Sequence, residues 1–135
     1  MKYLFDTDII SNLLGRVPSS ALVRKVAMTP AVDQATSSIT LGELHFGARR
    51  LRMGGEQLLA RIESILARAT VVPFDAAAGR VYGEIRSELE RAGTPIGDAD
   101  TRIAAIAMVH NLTVVTANVR HFQRVAGLAV ENWLD

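Results

Sequence analysis

Five short apolar runs alternate with longer segments of helical periodicity, and this alternation restricts the fold more than any other feature of the sequence. The first run covers residues 2–5, and the others cover residues 35–39, 70–74, 112–116 and 128–130. In the segments between them, apolar residues recur every three or four positions, as they do in amphipathic helices. Strands that alternate with helices favour an α/β fold with a mostly parallel central sheet flanked by helices.

The helical segments are bounded by residues that suit helix ends. Gly15 closes the first segment, Thr40 and Glu43 match a capping box at the third, and Asn111 suits the end of the sixth. The helices are predicted from Ile9 to Leu14, from Ser20 up to Pro30, from Leu41 to about Leu51, from Glu56 to Ala69, from Ala76 to near Gly93, from Asp98 to His110 and from Val119 to Val125. We expect residues 1–135 to form a single domain.

The composition excludes several classes of protein. The chain has no cysteine, which rules out a disulfide framework, thiolate metal ligands and a cysteine nucleophile. Its apolar runs are far shorter than the roughly 18 residues of a membrane span, and the first residues do not resemble a signal peptide. We therefore expect a cytoplasmic protein that has no membrane partner.

Polar side chains, most of them acidic, follow the predicted strands. They are Asp6 and Asp8 after the first strand, Glu43 after the second, Asp98 and Asp100 at the start of the helix before the fourth, and the neutral Asn118 after the fourth. Because the carboxyl ends of parallel strands meet at one edge of a sheet, we expect these side chains to converge there. A capping role is an alternative for an aspartate at a helix start, and it stays open for Asp98.

Converging carboxylates raise one another's pKa unless a cation compensates their charge. Mg²⁺ prefers oxygen ligands and keeps several of its waters, so an acidic site without thiols suits Mg²⁺ or Mn²⁺ better than zinc. Such an ion orients and deprotonates water and stabilises charge on a phosphate, which is the chemistry of phosphodiester hydrolysis.

Four motifs lie in a fixed order along the chain. An apolar strand ends in Asp6-Thr7-Asp8, and the pattern S-x-x-T-x-x-E-L follows at residues 37–44. The pattern P-I-G-x-x-D-x-x-I-A-A lies at residues 95–105, and T-x-N-x-x-x-F-x-x-V-x-G-L-x-x-E-x-W lies at residues 116–133. With these motifs the chain resembles the PIN-domain family, and within it the VapC toxins of bacterial toxin–antitoxin pairs, over essentially its whole length.

The resemblance implies a ribonuclease toxin that depends on Mg²⁺ or Mn²⁺. Its metal-binding and catalytic acids would be Asp6, Glu43 and Asp100, which match the acids of the family motifs. Asp98 stands where relatives often have proline, so we expect it to be a helix cap or a supporting residue. The resemblance also implies an RNA substrate, a cognate VapB-like antitoxin and a homodimer.

The resemblance assigns supporting roles to the neighbours of these acids. Thr7 and Thr116 are expected to hydrogen-bond the carboxylates, and Asp8 to orient Asp6. Asn118 lies where many relatives have a fourth acid, and it can offer a carbonyl oxygen or orient a water. His121 stands where many relatives have a glutamate.

Arginine dominates the basic residues, with lysine only at Lys2 and Lys25. Arginine suits RNA binding because it binds phosphate and stacks on bases. A solvated surface together with codon bias explains the abundance of arginine equally well. The candidates for RNA contact are Arg49, Arg50, Arg52, Arg86, Arg102, Arg120 and Arg124.

Two classes of rival interpretation remain, another enzyme or phosphoryl-transfer fold and an inactive binding module. Phosphatases with an aspartate nucleophile share the Asp6-x-Asp8 pattern, but they have Thr or Val where this chain has Ile10, and they need a late lysine that is missing here. A receiver domain needs the same lysine, so its absence argues against that fold as well. A catalytically inactive PIN module that acts as a binding protein is the second rival, and the complete set of motif acids argues against it.

Overall fold

A five-stranded parallel sheet forms the centre of the protein, in a computed structural model that describes residues 1–134. The strands are β1 (Tyr3–Phe5), β2 (Gln34–Ser37), β3 (Thr70–Val72), β4 (Thr113–Val115) and β5 (Val130–Glu131). Their order is β3-β2-β1-β4-β5, and each neighbouring pair is parallel. The predicted α/β fold is confirmed.

Helices cover both faces of the sheet. They are α1 (Thr7–Leu14), α2 (Ser20–Met28), α3 (Ser38–Arg49), α4 (Gly55–Leu66), α5 (Ala76–Arg91), α6 (Asp98–His110) and α7 (Val119–Phe122), and a 3₁₀ turn lies at Ala31–Asp33. Each predicted helix is present, and its ends differ from the prediction by less than one helical turn. Within residues 1–134, no helix combines the length and the apolarity needed to cross a membrane.

Two predicted helix caps are wrong. Ser37 caps α3, because its hydroxyl accepts the N–H of Thr40 at 3.0 Å, so Thr40 and Glu43 form no capping box. Strand β2 ends at this same serine and passes into α3 without a loop. Gly97 occupies the N-cap position of α6 with a φ of 92°, which favours glycine, so the capping role considered for Asp98 is also wrong.

The alternation of side chains along the strands builds two apolar layers. Leu4 and Val114 face the layer formed with α5, α6 and α7. Phe5 and Val115 face the layer formed with α1, α2, α3 and α4. Trp133 closes the second layer, with its ring centroid 5.4 Å from that of Phe5 in an edge-to-face contact.

The strand order reverses next to β1. The chain places β2 and β3 on one side of β1 and places β4 and β5 on the other. In open parallel sheets this reversal creates a crevice at the carboxyl ends of the two strands that flank it, and ligands bind there. The crevice between β1 and β4 is therefore the first place to look for a functional site.

Candidate active site

Asp6 lies at this reversal, directly after β1. Its backbone N–H donates to the Val115 carbonyl of β4 at 3.1 Å, which ties it to both strands. Its carboxylate caps α1 by accepting the N–H of Ile9 at 3.0 Å. Only 4% of the residue is exposed, so the carboxylate is held in a fixed and poorly solvated position.

The pKa of Asp6 is raised from 3.8 to about 6 in total, mainly because burial disfavours the charged form. Hydrogen bonds from the Thr116 side chain and the Ile9 N–H act in the opposite direction. The negative charges of Asp8 and Asp100 raise the pKa further. Asp8 thus acts on Asp6 through its charge, and Thr116 acts on it through a hydrogen bond.

Asp100 lies in the first turn of α6 and is half-buried. Burial raises its pKa, His121 lowers it, and the charges of Glu43 and Asp8 raise it, with a net upward shift. The Nε2 atom of His121 lies 3.1 Å from Oδ2 of this carboxylate.

Glu43 projects from α3 and is held by a hydroxyl. Its Oε1 atom accepts a hydrogen bond from the Thr7 hydroxyl at 2.6 Å, which is the contact predicted for Thr7. The same hydroxyl lies 3.1 Å from Oγ1 of the buried Thr40. Because α3 begins at Ser38 and not at the predicted Leu41, Glu43 stands in the second helical turn and not in the expected first turn.

Four acids are thus linked electrostatically through Asp100, which interacts with each of the other three: Asp6, Asp8 and Glu43. We call this group the acidic edge. Asn118 follows β4 nearby, and its backbone N–H donates to Thr116 Oγ1 at 2.9 Å. Thr116 therefore connects Asp6 with the loop that carries Asn118.

Asp98 has a separate set of partners. It accepts a hydrogen bond from the Tyr82 hydroxyl and pairs with Arg102, whose Nη2 atom lies 3.0 Å from Oδ2. Arg86 donates to the Tyr82 hydroxyl at 2.7 Å. The pKa of Asp98 is held below its ordinary value, mainly by the Tyr82 hydroxyl and then by Arg102 and Arg86. We call Tyr82, Arg86, Asp98 and Arg102 the Asp98 network.

The sequence interpretation did not identify Tyr82. Its spacing of four residues from Arg86 on one helix face is a signal that could have indicated a shared contact.

Several candidate RNA contacts also have partners within the chain. Arg50 lies over the Phe46 ring at 5.5 Å, and Arg124 donates to the Pro95 carbonyl at 3.0 Å, while Arg86 and Arg102 belong to the Asp98 network.

Comparison with known proteins identifies the family. Residues 3–128 match the PIN domain family. The chain is 40% identical over 133 residues to the tRNA(fMet)-specific endonuclease VapC of Shigella flexneri, and the match covers 98% of both chains. It is 35% identical over 133 residues to Ribonuclease VapC2 of Rickettsia felis, again over 98% of both. The structure of DNA-bound VapBC from Salmonella typhimurium superposes with a TM-score of 0.92 at 34% identity, over 98% of both chains.

This chain therefore belongs to the PIN-domain family, a class defined by the parallel α/β sheet described above. Full-length similarity assigns it, within that family, to the VapC ribonuclease toxins of VapBC toxin–antitoxin systems. The family resemblance in the sequence is thus confirmed.

Proposed function

We propose that this chain hydrolyses RNA phosphodiester bonds in a metal-dependent reaction at the acidic edge, with Asp6, Glu43 and Asp100 as the catalytic and metal-binding residues. The observation that carries the proposal is the buried carboxylate of Asp6. Its pKa is raised to about 6 by burial and by two neighbouring acids. Structural ion pairs normally lower the pKa of an acid, so an upward shift at the carboxyl edge of the sheet favours a functional role.

The donor set fits a hard divalent cation. The three residues that would hold the ion, Asp6, Glu43 and Asp100, offer only oxygen. Among residues 1–134, no three acidic or histidine side chains lie close enough to bind one ion together. Mg²⁺ usually takes one or two carboxylates directly and keeps several waters, so one or two of these acids would bind Mg²⁺ or Mn²⁺ directly and the others would act through water. When bound, such an ion stabilises charge on the phosphate and lowers the pKa of a water.

We assign proton transfer to Glu43. It is exposed, so water and substrate have access to its carboxylate, and the Thr7 hydroxyl holds that carboxylate at 2.6 Å. A general base must lie within hydrogen-bond reach of the proton that it removes, and a fixed orientation favours this. Asn118, exposed after β4, is assigned to orienting a water through its side-chain oxygen.

The similar proteins suggest the substrate and the partners. Because the Shigella flexneri relative is named a tRNA(fMet)-specific endonuclease, initiator tRNA is the first RNA to test. The similar Salmonella typhimurium structure is a VapBC complex, which supports a VapB-like antitoxin as the inhibitor of this chain. We also propose a homodimer, and we place its action in the cytoplasm, where RNA substrates and a co-expressed antitoxin occur.

The structure gives an argument against the phosphatase rival. That chemistry needs a lysine at the phosphate, and the chain has only two lysines. Lys2 lies over the Tyr3 ring at 5.6 Å and Lys25 lies over the Trp133 ring at 5.4 Å, both on aromatic side chains outside the acidic edge.

A cleavage assay tests the proposal and separates it from both rivals. Purified protein is incubated with initiator tRNA and with total cellular RNA, in Mg²⁺ or in excess EDTA, and the new 5′ ends are mapped. We expect discrete cleavage in Mg²⁺, its loss in EDTA and its return when Mg²⁺ is restored. Undiminished cleavage in EDTA contradicts the metal requirement. Phosphate release from a monoester without RNA cleavage supports the phosphatase, and antitoxin binding without either activity supports the inactive module.

A further inference from the structure

His121 connects three segments of the chain beside the acidic edge. Its Nε2 atom lies 2.6 Å from the Ile96 carbonyl oxygen and 3.1 Å from Asp100 Oδ2. The histidine belongs to α7, Ile96 to the loop before α6, and Asp100 to the first turn of α6. The contact therefore joins residues that are far apart in the sequence.

The Ile96 carbonyl determines the role of the imidazole. A carbonyl oxygen only accepts hydrogen bonds, so Nε2 of His121 must carry a hydrogen. Oδ2 of the Asp100 carboxylate lies 3.1 Å from the same nitrogen, in ion-pair contact with the ring. The half-buried ring, anchored on a main-chain oxygen, is thus held in a fixed position against one oxygen of Asp100.

We propose that His121 is a positioning residue that holds the Asp100 carboxylate in the orientation that binds the divalent cation. The inference rests on the proposed function and deepens it. Hydrogen-bonding partners of metal ligands fix ligand orientation, and their loss typically weakens metal binding. His121 has the geometry of such a partner, because it reaches the acid and the main chain with the same nitrogen.

Arg124 provides a matched control for a purely structural role. Its Nη1 atom donates to the Pro95 carbonyl at 3.0 Å, so it ties the residues after α7 to the same loop that His121 contacts. The ion pairs of Asp100 do not include Arg124. If the histidine served only to fasten this loop, loss of either side chain would have the same kind of effect.

The test is Mn²⁺ affinity measured by isothermal titration calorimetry on the full chain. His121→Phe keeps a ring and removes the donor, His121→Gln keeps a donor, and Arg124→Met removes the loop contact alone. We expect His121→Phe to weaken Mn²⁺ binding at least about tenfold, with His121→Gln recovering most of the loss and Arg124→Met staying near the wild type.

Thermal unfolding in EDTA reports the structural contribution separately. Unchanged Mn²⁺ affinity in His121→Phe, or an equal loss in Arg124→Met, overturns the inference while the proposed function stands. A wild type that binds no Mn²⁺ overturns both. If His121→Phe does not fold, His121→Asn, whose amide is too short to reach both oxygens, takes its place and the same results decide.

Discussion

Asp98 and Asp100 lie two residues apart in the first turn of α6, yet their surroundings are electrostatically opposite. Asp98 is exposed among Tyr82 and two arginines, which hold its pKa below the ordinary value. Asp100 is half-buried beside other acids, and its pKa is raised. The type of residue and its place on a helix are nearly the same for both, so the groups that face each of them determine its role.

Helix geometry explains this separation. Successive helical residues are rotated by about 100°, so positions i and i+2 point to nearly opposite sides. Asp98 contacts Tyr82 on α5, while Asp100 contacts His121 on α7 and interacts electrostatically with Glu43 on α3. The start of α6 thus contributes to the Asp98 network on one side and to the acidic edge on the other.

The largest expected difference is in the rate of RNA cleavage after matched Asp→Asn substitutions. Asp100→Asn removes a charge proposed to bind the cation, and we expect a loss of at least about 100-fold, the upper end of the range for residues that support metal ligands. Asp98→Asn changes an exposed side chain outside the acidic edge, and we expect a change of no more than about twofold. Initial rates at fixed Mg²⁺ measure both. Equal losses in the two variants would remove the distinction between the regions.

The second prediction concerns stability and pH. Because the pKa of Asp6 in the folded protein is about 6, above its ordinary 3.8, the folded state holds more protons than the unfolded state between these values. The contribution of Asp6 to stability is therefore complete below about pH 4 and is lost as the pH rises through 6. Asn cannot ionise and caps helices as well as Asp, so Asp6→Asn should exceed the wild type in stability above pH 6 by up to about 3 kcal/mol.

Urea denaturation in EDTA at pH 4 and at pH 7.5 measures this effect. The advantage of Asp6→Asn should be present at pH 7.5 and nearly absent at pH 4. An advantage of the same size at both pH values would show that ionisation of Asp6 is not its cause.

The third and smallest effect compares one hydroxyl donor from each region. Thr7 donates to Glu43 and Tyr82 donates to Asp98. Thr7→Val removes the first donor at constant shape and should reduce the cleavage rate about tenfold, whereas Thr7→Ser should restore it. Tyr82→Phe removes the second donor and should leave the rate near that of the wild type. A larger loss in Tyr82→Phe than in Thr7→Val would reverse the roles of the two regions.

Much of the fold follows from local patterns. Apolar runs and helical periodicity predict the strands and helices, because each depends on residues within a few positions of one another. The acid after β1 is predictable as well, since parallel strands bring their carboxyl ends to one edge. Strand order does not follow from local patterns, because pairing depends on contacts between distant segments.

The incorrect predictions have two physical causes. Ser37 and Thr40 both offer a capping hydroxyl, and the backbone at the end of β2 decides between them. The N-cap of α6 is Gly97 and not Asp98, because the cap residue adopts a φ that favours glycine. The Tyr82 contact needs α5 and α6 to pack together, which no spacing within one segment reveals.

The central claim is that the acidic edge binds a divalent cation for RNA hydrolysis, and crystallography with Mn²⁺ tests it most directly. Anomalous scattering from crystals soaked in Mn²⁺ locates the ion without assumptions about its ligands. We predict a peak at the acidic edge with an oxygen of Asp6 or Asp100 at about 2.1 Å, or joined to the ion through a water. A fully active enzyme without a peak at this edge would contradict the account.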